Sequence, residues 1–458
     1  MIDAQGGPSG NDLPRILVTP PGPQSRRLAE ALRAVESRNV TYVGARWPVF
    51  LQRGTGANLV DVDGNVYIDL CAGFAVAAVG HSNPRVVAAF GAQAQTLLHG
   101  MGDVHPNERK IALARRLCEL APGDCEKRVI FATTGSEAVE AALKTAMIAT
   151  GKPGVLSFSG AYHGLTYGTL ALTDRALFRQ PFQAQLPAFG TRAPYPNCHR
   201  CPAARACPPC TLDCFALVAR ALDEHTGPPI GAVIVESIQG RGGEIPAPAV
   251  WLQALRRLCD ERHLLLIADE VYTGFGRTGR WFACEHAGVV PDLICAGKGM
   301  SSGYPIAACI GKASVMDCWP ESSGEAIHTS TFMGNPSGCA AALAAIQELE
   351  ERGLIERAAR LEEPLHQMLR ALQRRCGGRI SDVRGRGLMW GLECATADGR
   401  PSASLAAEAL TCVLADGVIA VASGSEANVI SLSPPLTISR AQLQFAVEAL
   451  TRAIREAI

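Results

Sequence analysis

The sequence predicts an α/β fold. A large domain carries a mostly parallel, seven-stranded-type sheet between helices, and a smaller α+β domain closes the chain. Short, continuously apolar runs recur with helical stretches between them, as strands buried on both faces of a parallel sheet do. The residues with chemistry to offer stand just after those runs, where open α/β sheets bind ligands. At 458 residues the chain is also too long for a single core.

VIFATTG (129–135) reads as a strand ending in a glycine turn, and SEAVEAALKTAMIATG (136–151) as a helix capped by Ser136 and stopped by Gly151. GVLSFSG (154–160), GAVIVES (231–237), LLLIADE (264–270), DLICAG (292–297) and AACIG (307–311) read as further buried strands. A helix over about 337–352 leads into the small domain. There GLMWGLEC, VIAVAS and NVISLSP alternate with helices around 355–375 and 439–457. The division expected is an N-terminal segment over 1–60, starting with a mobile tail of about fifteen residues, a large domain over 61–335 with a Cys-rich insertion at 195–214, and a C-terminal domain over 336–458.

Forty-three basic residues balance forty-three acidic ones, which gives no reason to expect nucleic acid or an anionic membrane as partner. No apolar run reaches 18 residues, and MIDAQGGPSGNDLP has no basic region followed by an apolar stretch. A cytoplasmic location is therefore expected. Of seventeen cysteines, scattered ones such as Cys71, Cys295 and Cys339 sit in apolar contexts and read as small hydrophobes. Five cluster in NCHRCPAARACPPCTLDC. Cys198, Cys201, Cys210 and Cys214 are spaced C-x2-C-x8-C-x3-C, which suits structural zinc or an iron–sulfur cluster, with free thiols or local disulfides as the alternatives. Cys207 and His199 lie within the same stretch.

The strand-end rule collects Thr134, Gly135, Ser136, Tyr162, His163, Glu236, Asp269 and Lys298. TTGSEA places a glycine and a serine at a helix start, where backbone N–H groups and the helix dipole suit a phosphate. Lys298 stands among small residues in LICAGKGMSSGYP, and a desolvated lysine has a lowered pKa and can form a Schiff base. Asp269, ending LLLIAD, can keep a pyridinium nitrogen protonated. Phosphate cradle, Schiff-base lysine and pyridine-binding aspartate together describe pyridoxal 5′-phosphate. Glu270 is expected to face away from Asp269, His163 to fill the pocket wall, and Arg384 and Arg386 to serve packing and surface.

TTGSEAVEAALKTA, SGAYHGLTYGTLALT, IVESIQGRGG, IADEVYTGFGRTGRWFACEHAGVVPDLICAGKG and HTSTFMGNPSGCAAALAAI resemble the class III aminotransferases, the ω-amino acid:pyruvate and 4-aminobutyrate-like enzymes. The resemblance runs in order from about residue 20 to the end. It implies the fold-type I architecture of pyridoxal phosphate-dependent transferases and a homodimer with shared active sites, acting on a small-molecule amine and a 2-oxo acid. By the same resemblance Lys298 holds the cofactor and shuttles the substrate proton, and Asp269 meets the pyridine nitrogen. Gly135 and Ser136 hold the phosphate, and Thr331 reaches the neighbouring subunit's phosphate. Tyr162 stacks on one ring face and Val271 on the other, with Glu236 beneath the pocket. Tyr272 takes the place of the family glutamine at the phenolic oxygen, a contact its hydroxyl is expected to replace.

Three departures bear on substrate, and with Phe74 they form the expected substrate-facing set. Leu165 stands where 4-aminobutyrate enzymes carry the arginine for the distal carboxylate. Ser431 replaces the arginine for the α-carboxylate, and Arg241 in QGRGG replaces the glutamate that neutralises it. Carboxylates prefer bidentate arginine, so the losses argue against a 4-aminobutyrate- or ornithine-type substrate. The alternative is that Arg241 serves the same carboxylate from the other side of the pocket. The expectation is a primary amine such as an amino sugar or aminoglycoside. A further likeness, to aminoglycoside-biosynthesis enzymes of the gentamicin type, agrees and implies a place in antibiotic biosynthesis. Nothing in the sequence selects transamination over epimerisation, racemisation or elimination on the same fold. A ligand-binding regulator of this fold would add a basic helix-turn-helix domain, and none is found.

Overall fold

The computed structural model describes residues 8–203, 210 and 212–457. Seven strands form the central sheet: β1 (Lys127–Ala132), β2 (Gly154–Phe158), β3 (Gly190–Ala193), β4 (Ile230–Val235), β5 (Leu265–Asp269), β6 (Leu293–Ala296) and β7 (Ala307–Lys312). Their order is β1-β7-β6-β5-β4-β2-β3, with β7 antiparallel to both neighbours. Six strands follow the apolar runs of the sequence. The seventh, β3, is a four-residue edge strand (GTRA) with no apolar run to reveal it.

Alternate residues of each strand serve opposite layers. Ile267 and Ile234 pack under the helix Gly135–Thr150, while Leu266 and Val233 pack on Trp251, Leu255 and Leu258 of the helix Ala249–Glu261. The helix over 135–150 departs from expectation at its start. Thr134, not Ser136, is the N-cap: its hydroxyl accepts from Glu137 N at 3.2 Å, and Glu137 returns to the Thr133 and Thr134 amides. Ser136 is thereby released into the first turn. Gly151 ends the helix at φ 65°, in the left-handed region expected of it.

The small domain carries an antiparallel sheet ordered Ile380–Arg386, Met389–Cys394, Val429–Leu432, Val421–Ser423. VIAVAS, expected as one strand, serves two sheets: Val421–Ser423 joins this one, and Val418–Ile419 pairs in parallel with Val66–Asp69 of an N-terminal sheet. The stretch expected to be a mobile tail is bound from Gly10 onward. Gly10 O accepts from Ala57 N at 3.0 Å, and Arg15 bridges to Val66. Among the described residues no helix is long and apolar enough to cross a membrane. Arg384 braces a turn as well as packing: its Nε donates to Gly243 O at 2.8 Å, and its Nη1 pairs with Asp382 and Glu393.

Candidate active site

Beyond the ends of β1, β2, β4, β5 and β6 lies a cleft of about 380 Å³. Gly135, Ser136, Tyr162, His163, Glu236, Arg241, Asp269, Val271, Tyr272 and Lys298 all line it. Phe74, Leu165, Thr331 and Ser431 do not. Phe74 and Leu165 are about half exposed, and Thr331 is exposed near the equally exposed Phe332. Ser431 is buried, its hydroxyl donating to Ser423 Oγ at 2.6 Å.

Lys298 follows β6 after one glycine and opens a short 3₁₀ turn at φ 40°, an unusual value for a residue with a side chain. Its Nζ lies 4.2 Å from the centre of the Tyr272 ring. Burial lowers its pKa to about 8; Asp269, Glu236 and Glu244 oppose the fall and Arg241 adds to it. The Tyr272 hydroxyl is within 3.1 Å of Ser433 Oγ, so its present partner is the small domain.

Asp269 ends β5 with both carboxylate oxygens occupied. Oδ1 accepts from Val271 N at 3.1 Å, and Oδ2 lies 2.8 Å from His163 Nδ1. His163, expected to be pocket wall, is therefore the partner of the aspartate. The tyrosine-histidine-glycine triplet gave the residue's place but no sign of that bond. His163 Nε2 is buried with no hydrogen-bond partner among the described residues. Glu270 faces away, as expected, into amides of Ala283 and Cys284 at 2.9 and 2.8 Å. Glu236 accepts from Tyr162 N at 3.0 Å and Gly240 N at 3.1 Å, and burial still raises its pKa to about 7.

One further carboxylate escaped the sequence reading. Glu244, in the turn 240–244 at φ 54°, is almost wholly buried, and its Oε2 has no partner among the described residues. Burial raises its pKa to about 8. A glutamate following two glycines gives no signal of burial.

These residues fit pyridoxal phosphate. The first amides of the helix Gly135–Thr150 have no intrahelical partner and stand at the cleft. A Cβ on Gly135 would come within 2.7 Å of Val271 Cγ1, and one on Gly164 would overlap Ser136 Oγ, so the phosphate end depends on bare glycine. A lysine of lowered pKa and a carboxylate stand at the other end.

The fit to zinc or iron–sulfur is not supported. Among the described residues no group of three or more His, Cys, Asp or Glu side chains is arranged to hold a metal, although Cys198, Cys201, Cys210 and Cys214 are among them; Cys207 lies outside. Cys214 is buried in the apolar layer around Trp251, and Arg200 ties the insertion to Glu393 at 2.7 Å.

Fold and cleft together define a fold-type I pyridoxal phosphate-dependent enzyme. Residues 41–454 match the family model "Aminotransferase class-III". The chain is 40% identical to 4-aminobutyrate aminotransferase of Mycobacterium leprae over 450 residues, covering 96% of this chain and 97% of that one. It is 34% identical to the alanine/serine racemase of Pyrococcus horikoshii, covering 98% and 94%. The solved structure of the ω-transaminase from Pseudomonas jessenii in complex with PMP superposes with a TM-score of 0.87 at 28% identity, covering 94% of this chain and 98% of that one. The chain belongs to the class III aminotransferase family and is a pyridoxal phosphate-dependent aminotransferase.

Proposed function

We propose that this aminotransferase moves an amino group from a primary amine lacking an ω-carboxylate, such as an amino sugar, to a 2-oxo acid. The observation that supports it is the pair Leu165 and Ser431. Leu165 offers an apolar side chain beside Gly164, and Ser431 spends its hydroxyl on Ser423, so neither position supplies a cation for the donor's carboxylate. Against it stand the names of relatives such as the mycobacterial enzyme, which make 4-aminobutyrate the rival donor.

The cofactor supplies an electron sink for the bond broken at the substrate's amino carbon. The chain's own residues do the rest. Lys298 Nζ, neutral in an appreciable fraction near pH 7, takes the proton from that carbon and returns it. Asp269, oriented by His163 and the Val271 amide, holds a proton on the ring nitrogen. Ser136 and the amides at 135–136 hold the phosphate, Tyr162 and Val271 confine the ring, and Glu236 supports the Tyr162 backbone from below. The functional unit is a homodimer. Phe74, Leu98, Met101, Ile327 and Phe332 are large apolar side chains exposed in the single chain, and Thr331 lies in the same region for a partner's phosphate.

A competition assay of 4-aminobutyrate, glutamate, polyamines and aminoglycosides as donors to 2-oxoglutarate and pyruvate tests the reading. Turnover of 4-aminobutyrate as the best donor refutes it. A second reading, racemisation or epimerisation at an amine-bearing carbon, is favoured by the 34% identity to the racemase. Deuterium washed into recovered amine without net transfer would select it.

A further inference from the structure

One aromatic ring stands over the reacting amine. Lys298 Nζ lies 4.2 Å from the centre of the Tyr272 ring, within cation–π range, and both residues line the cleft. Tyr272, expected to offer its hydroxyl to the cofactor, has that hydroxyl within 3.1 Å of Ser433 Oγ. Ser433 Oγ in turn donates to Cys71 O at 3.2 Å. The tyrosine thus gives its polar end to the small domain and leaves its face to the lysine.

The ring and the amine are each held in place. Tyr272 follows Asp269 by three residues, in the turn after β5. Gly240 packs on the ring, since a Cβ there would lie 3.0 Å from Tyr272 Cδ1. Lys298 follows β6, the strand beside β5, at the left-handed φ of 40°. Burial, and after it the charge of Glu244, raises the pKa of the Tyr272 phenol, so the hydroxyl keeps its proton across the working range. The ring therefore meets the amine as the negative face of a neutral π-system, not as an anion. Four charged groups act on Lys298: Asp269, Glu236 and Glu244 favour its ammonium form, and Arg241 opposes it. Asp269 is committed to His163 and the Val271 amide, and Glu236 to the amides of Tyr162 and Gly240. Among the described residues Nζ makes no hydrogen bond or ion pair, which leaves the ring as the contact that meets its charge.

We propose that the face of Tyr272 is the seat of the ammonium that Lys298 becomes on taking the substrate's proton. Tyr272 is then a catalytic residue through its ring and not through its hydroxyl. The bond pair of the substrate's amino carbon goes to the electron sink, the proton goes to the Nζ lone pair, and both return. This rests on Lys298 as the proton carrier but not on the identity of the amine donor.

The test is the pH midpoint of pyridoxal phosphate capture by the full-length apo-protein, followed by absorbance across pH 6–9.5, for the wild type, Tyr272→Phe and Tyr272→Met. Methionine keeps comparable bulk without a π face, and Tyr272→Leu repeats the measurement on a second apolar side chain should the methionine variant fail to fold. Loss of the ring face disfavours the ammonium, so the midpoint is expected to fall by about 0.4–1.5 pH units in Tyr272→Met. From a starting value of about 8, capture at pH 7 then quickens roughly two- to eightfold. Tyr272→Phe, which keeps the face and loses the hydroxyl, is expected to move by less than half as much. A smaller fall or a rise in Tyr272→Met overturns the proposal, and so does a fall in Tyr272→Phe of half that size or more. The midpoint is read with no donor or acceptor present, so a failed donor screen leaves this result standing, and the reverse.

Discussion

The lowered proton affinity of Lys298 has a kinetic consequence in the apo-protein. Only the neutral amine can attack a carbonyl, so the rate at which cofactor is captured follows the neutral fraction. With a pKa of about 8, that fraction is about one in eleven at pH 7 and about ten in eleven at pH 9, a roughly tenfold rise that levels off. At the ordinary value of 10.5 the fraction would climb from about one in 3,000 to about one in 30, a roughly hundredfold rise still steepening at pH 9. The assay is stopped-flow absorbance of apo-protein mixed with pyridoxal phosphate across pH 6.5–9.5. A simple alkylamine run in parallel removes the cofactor's own titration. Arg241→Gln takes away a cation that lowers the lysine, so its midpoint moves to higher pH. A hundredfold climb without levelling would refute the idea that burial sets this lysine.

Other consequences follow from single contacts. Gly135→Val brings side-chain carbon against Val271 and across the first-turn amides, and is expected to weaken cofactor at least tenfold by equilibrium dialysis while the apo-protein still folds. His163→Leu removes the 2.8 Å bond to Asp269, a charge-assisted contact of about 1.5–3 kcal/mol; kcat should fall roughly 10- to 150-fold, and His163→Asn should recover part of it by donating from nearly the same place. Glu244 binds its proton more tightly folded, at about 8 against 4.5, so its contribution to stability is complete below pH 4.5 and is lost as pH rises through 8. Thermal melts of Glu244→Gln should therefore lose less between pH 6 and 9 than those of the wild type.

The cofactor end of the site was legible because its residues stand directly after apolar runs. Asp269 ends β5, and Gly135 and Lys298 follow β1 and β6 by no more than three residues, so strand pattern and chemistry point to one place. Interactions between distant segments were not legible. His163 and Asp269 are 106 residues apart, and nothing local to either tells of the other. The same holds for VIAVAS, whose apolar run says strand but cannot say that a break at Ala420 sends its halves to different sheets. Ser136 was misread as the cap because Thr134 is an equally good one, and only the return bond from Glu137 distinguishes them.

The cleft divides between a fixed cofactor frame and segments outside the sheet. Asp269, Lys298 and the phosphate turn belong to strand ends and a helix start packed into the sheet core, where a shift of an ångström would disturb many buried neighbours. The residues around that frame belong elsewhere: Arg241, which lines the cleft, and Glu244 to the turn 240–244, and, outside the cleft lining, Leu165 to the segment between β2 and β3 and Ser431 to the small domain. Substitution there changes charge and shape without moving the lysine or the aspartate. Differences between enzymes named for a transaminase and for a racemase are therefore expected to concentrate at 165–180, 240–244 and 423–433 rather than in the sheet, which an alignment of such sequences checks.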